Sequence, residues 1–76
     1  MLNYKDYIIS DYKIMLGKPV IKGTRITVEL ILKKLSESVT IPQLLEMYSQ
    51  LNTEQVQAAL EYASNVVGNE EVLELA

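Results

Sequence analysis

Lys18, Lys22 and Arg25 stand within eight residues of one another with no carboxylate among them, and Thr24 and Thr27 add neutral hydroxyl donors to the same stretch. Ammonium, guanidinium and hydroxyl groups at such spacing suit one kind of chemistry, the holding of phosphates or other anions. Surface lysines also serve solubility and discourage edge-to-edge strand pairing, which is the competing use of these side chains. Bond-making chemistry is poorly provided for. The chain has no histidine and no cysteine, so the commonest general base and the strongest nucleophile are both missing. Its carboxylates are scattered, with no cage for a metal and no phosphate-cradling glycine loop. The expectation is a protein that is not an enzyme and needs no cofactor.

The element that must position the cations is a turn-rich ribbon. Pro19 fixes its own φ and keeps Lys18 out of the helical region, so the chain is extended there. Lys22-Gly23, between Val20-Ile21 and Thr24-Arg25-Ile26, predicts a β-hairpin with a two-residue loop and glycine in its second position. Tyr7-Ile8-Ile9 reads as a further strand able to pair with it. Tyr4, Tyr7 and Tyr12 are suited to packing against helices, with base stacking as the alternative.

Three helices follow. Thr27 is a good N-cap for one over Val28 to Ser36, whose Val28, Ile31, Leu32 and Leu35 form one apolar face and leave Leu30 over. Lys33 and Lys34 suit its last turn and can flank an anion site. Thr40 with Gln43 makes a capping box for a short second helix carrying Pro42 in its first turn and ending near Tyr48. Asn52 or Thr53 caps the third, with Val56, Ala59, Leu60, Ala63 and Val67 as its core stripe and Gly68-Asn69 at its end. Ala58, Tyr62 and Val66 form a second apolar line, which with Leu30 marks a candidate dimer interface. Short helix, four-residue turn and longer helix is helix-turn-helix spacing. Beyond it lies an acidic and apolar tail, residues 68–76, whose Glu70, Glu71, Val72, Leu73, Glu74 and Leu75 form a candidate partner-docking segment.

The decade Gly17-Lys18-Pro19-Val20-Ile21-Lys22-Gly23-Thr24-Arg25-Ile26 resembles the G-K-P-V-I-x-G-T-R-I signature of the DUF433 family, and the likeness runs from about Tyr7 to about Ser64. It includes Val28-Glu29-Leu30-Ile31-Leu32 and the stretch from Ala58 to Ala63. The resemblance implies a homeodomain-like helix-turn-helix and a role as the antitoxin of a type II toxin-antitoxin pair, commonly encoded beside a PIN-like nuclease. Two departures stand out. Asp11-Tyr12 replaces a common Asp-Pro, and Tyr48-Ser49-Gln50-Leu51-Asn52-Thr53 replaces a common Tyr-Pro-His-Leu-Thr, leaving both bends without a proline to fix them.

Composition bounds the remainder. Seventy-six residues make one domain, which divides into an arm (1–26), a three-helix core (27–67) and the tail. Apolar residues are 49% of so short a chain, more than a small core hides easily, so association into a homodimer or with a partner is expected. No apolar run approaches the ~20 residues of a membrane helix and no secretory leader is evident, which predicts a cytoplasmic protein. The net charge of −3 conceals a division: all seven basic residues lie before residue 35 with only Asp6, Asp11 and Glu29, a balance of +4, and the seven later acids stand alone at −7. That polarity, with no cation after Lys34, disfavours the third helix as the element in a DNA groove, although Gln55 and Gln57 are of a type that reads adenine. The expected function is an antitoxin that neutralises a PIN-like toxin, with operator DNA contacted through Lys18, Lys22, Thr24, Arg25 and Thr27. The alternative is a dimeric protein-interaction module with no DNA-binding activity.

Overall fold

The computed structural model describes residues 3–68. It is mainly α: a two-stranded antiparallel sheet, β1 (Ile8–Ile9) and β2 (Val20–Ile21), precedes three helices, α1 (Val28–Ser36), α2 (Ile41–Met47) and α3 (Thr53–Gly68). Ile8 faces Ile21 and Ile9 faces Val20. Each helix touches the other two, and the sheet closes the open side of the bundle against α3.

Helix limits follow local chemistry. The Thr27 hydroxyl accepts the Leu30 N–H at 3.0 Å and so starts α1. At α2 the box is reciprocal, with Gln43 N–H donating to Thr40 Oγ1 at 3.3 Å and Thr40 N–H donating to Gln43 Oε1 at 2.9 Å. The same device opens α3 and assigns its cap to Asn52, which exchanges two such bonds with Gln55. α1 ends in a Schellman motif: Ser38 N–H reaches Leu35 O, Val39 N–H reaches Lys34 O, and Ser38 sits at φ +73° where glycine is usual.

Both bends that lack proline are closed by other means. Asp11 accepts the Lys13 N–H on its carboxylate and the Ile14 N–H on its carbonyl. Between α2 and α3 the Leu51 N–H donates to Tyr48 O at 2.9 Å, and Leu51 itself is buried.

The core comprises Ile8, Val20, Ile21, Ile26, Val28, Ile31, Leu44, Leu51, Val56, Ala58 and Ala59. α3 is rotated relative to the stripe its periodicity suggests. Ala58, expected at a dimer interface, is fully buried, whereas Leu60 and Val67, expected in the core, are 39% and 70% exposed. The cause is an element without periodicity. A 3₁₀ turn at Tyr4–Asp6, capped by Asn3, packs across α3, and the Tyr4 ring meets Tyr62 edge-on with centroids 5.7 Å apart. The arm therefore covers the side of α3 that carries Ala58 and half of Tyr62. Leu30, also expected at an interface, is half-buried against the chain's own core.

Candidate nucleic-acid interface

The predicted hairpin forms, in a wider shape. Gly23, at φ +84°, is the third residue of a turn closed by the Thr24 N–H on Ile21 O at 3.0 Å, the position a type II turn gives to glycine. Thr24, Arg25 and Ile26 do not make the expected return strand. Thr24 Oγ1 donates to Ile21 O and accepts the Ile26 N–H, each at 2.9 Å. These bonds satisfy the turn internally and push the return pairing outward, so that Ile21 N–H meets Ile26 O, Val20 bridges Thr27 and Val28 N–H meets Pro19 O. The result is a four-residue loop, Lys22 to Arg25, standing on a ribbon whose Val20, Ile21 and Ile26 are buried in the core.

That anchoring sorts the five expected contact residues. Thr27 is only 8% exposed and spends its hydroxyl on the α1 cap, so it is no surface donor. Thr24 is half-buried with its hydroxyl used in both directions. Lys18 reaches Glu29 Oε1 at 3.0 Å in an exposed ion pair, and Lys33 likewise pairs with Glu37 at 3.5 Å. Lys22 and Arg25 are exposed and, among the described residues, have no carboxylate within ion-pair distance. The site contracts to those two cations at opposite ends of one loop.

Arg25 also borders an open groove of about 690 Å³ between the loop and the turn joining α2 to α3. Ile14, Met47, Tyr48, Ser49 and Gln50 form its other walls. Sequence periodicity gave no sign that the α2–α3 turn lies opposite Arg25; the polar pair Ser49-Gln50 marked a turn and nothing about what faces it. The groove offers one permanent cation, hydroxyl and amide donors, and an adaptable thioether and phenol, a lining suited to an anion attached to a flat or apolar body.

α3 presents a different surface. Its first two turns expose Thr53, Glu54 and Gln57, and Gln55 is held in the cap with Asn52 rather than free to meet a base edge. Residues Glu70, Glu71, Val72, Leu73, Glu74 and Leu75 lie outside the described residues. Among the described residues no helix is long and apolar enough to cross a membrane.

Among family models, the one described as "Protein of unknown function (DUF433)" matches residues 8–63. No curated protein and no solved structure matches the chain. The matched span begins at β1, contains the whole loop and both of its supporting strands, and ends within α3.

Proposed function

The chain belongs to the DUF433 family, and from that premise we propose that it is a non-catalytic, cytoplasmic antitoxin whose Lys22–Arg25 loop holds the phosphates of its own operator DNA. Neutralisation of a PIN-like nuclease, the other half of that role, rests on the family resemblance. The observation that carries the DNA half is the contrast within the signature itself. Val20, Ile21 and Ile26 are buried, Gly23 makes the turn, Thr24 ties it, Thr27 caps α1, and only Lys22 and Arg25 are left outside with unused charge. A loop whose every other residue works to fix its shape holds the backbone from which the two cations project, so that binding need order only their side chains.

The test is fluorescence anisotropy of the full chain with a duplex from its own upstream region, at low salt. Lys22→Glu with Arg25→Glu is expected to weaken binding at least tenfold while the helical circular dichroism is unchanged. Equal affinity of the reversed and native proteins would refute the DNA half, and failure to co-purify with the product of the neighbouring reading frame would refute the other.

A second reading, a dimeric interaction module without DNA affinity, is favoured by one observation: the start of α3 offers Glu54 and no cation to draw in phosphates, and of its two glutamines Gln55 is held in the cap. It predicts no measurable binding to any duplex at low salt.

A further inference from the structure

The groove beside Arg25 has two banks, and the Lys22–Arg25 loop forms only one of them. The other is the turn between α2 and α3, where Ser49 and Gln50 are exposed. Main-chain hydrogen bonds divide the lining residues into two sets. Thr24, Ile26 and Tyr48 spend their N–H groups inside the fold, on Ile21 O, Thr24 Oγ1 and Leu44 O. The N–H groups of Gly23, Arg25, Ser49 and Gln50 have no acceptor among the described residues, and two of these four stand on each bank. No lining residue is acidic; Glu46 and Glu54, the carboxylates nearest the turn in sequence, are exposed and do not border the groove.

We infer that the groove is a track for one sugar-phosphate strand of the duplex, gripped between Arg25 and the Ser49-Gln50 turn. The inference rests on the DNA half of the proposed function and adds a second wall to it. Arg25 belongs to both the loop and the groove, so a strand whose phosphate it holds has the groove as its nearest path. Hydroxyl, amide and unspent main-chain N–H groups are the neutral donors that position a phosphate backbone without reading its sequence. Here they are spread over two facing turns around about 690 Å³, far more room than one small anion fills. A site for a lone ion would close its donors around a point. Met47, 49% exposed, and the half-buried Tyr48 offer an apolar surface to the sugar between successive phosphates. The turn ahead of α3 thus supplies what α3 itself lacks, donors with no carboxylate between them.

Anisotropy of the full chain with its upstream duplex, taken over a salt series, separates this contact from the loop's. Gln50→Lys is expected to tighten binding at least threefold at low salt and to steepen the slope of log K against log salt by about one per chain. Ser64→Lys, at an exposed site on α3 that does not line the groove, should leave the slope unchanged. Ser49→Ala with Gln50→Ala is expected to weaken binding at least threefold at an unchanged slope, because neutral donors release no counterions. Circular dichroism checks that each variant is folded. Inorganic phosphate at matched ionic strength should displace no more duplex than chloride does; displacement by phosphate alone would assign the groove to a free ion and overturn the strand. Gln50→Lys indistinguishable from Ser64→Lys would overturn it too, and would leave the DNA half standing wherever charge reversal at Lys22 and Arg25 still weakens binding.

Discussion

At Ser38 a residue with a Cβ occupies a left-handed position, φ +73°, at the end of α1. Nothing in the Schellman hydrogen bonds requires serine, so Ser38→Gly is expected to stabilise the fold by about 0.5–1 kcal/mol, net of the added freedom of the unfolded chain. Denaturant titration measures it, and a destabilised variant would contradict the motif. Gly23 poses the reverse case. A Cβ there would meet nothing within 4 Å, so any penalty comes from φ +84° alone. Gly23→Ala should cost about 1 kcal/mol and, if the loop's shape matters for binding, should also weaken the DNA contact. Both positions differ in how far they could be read in advance. Gly23 announces itself as a glycine between two apolar pairs; Ser38 does not, because the usual marker of a helix end is absent from Ser36-Glu37-Ser38-Val39.

Among the elements, the helices were the most legible. Thr27, Thr40 with Gln43, and Asn52 with Gln55 act on N–H groups two or three residues away, so their effect needs no knowledge of the rest of the chain. The orientation of α3 was not legible. Its apolar residues fill more than half the helix circumference, and which of them are buried depends on the 3₁₀ turn at Tyr4–Asp6, a segment with no period and no glycine or proline to mark it. The hairpin lies between these cases: the turn was evident, but its register was set by the Thr24 hydroxyl, which takes up two backbone partners and moves the return pairing to Ile26 and Thr27. If the arm holds α3 as described, Tyr4→Ala removes the edge-on contact with Tyr62 and should cost about 1–2 kcal/mol. Hydrogen exchange would then show faster opening around Ala58 than around Leu44. Uniform exchange at the two sites would mean that the arm is not what covers this side of the helix.

Across the whole molecule, the division of charge visible along the sequence becomes a division of surfaces. The cations of the first half are not equivalent: Lys18 and Lys33 are paired with carboxylates of their own domain, and Lys22 and Arg25 carry unpaired charge on one loop. The acidic helix α3 begins at its own cap, and its far end carries the exposed Val66 and Val67.

The central claim is that the loop, and not α3, meets the anion. It is tested most directly by the salt dependence of operator binding, because the slope of log K against log salt counts the phosphates neutralised. Lys22→Ala with Arg25→Ala is expected to reduce that slope by about two per chain, whereas Thr53→Ala with Gln57→Ala leaves it unchanged. An unchanged slope in the first variant, or a reduced one in the second, would contradict the account.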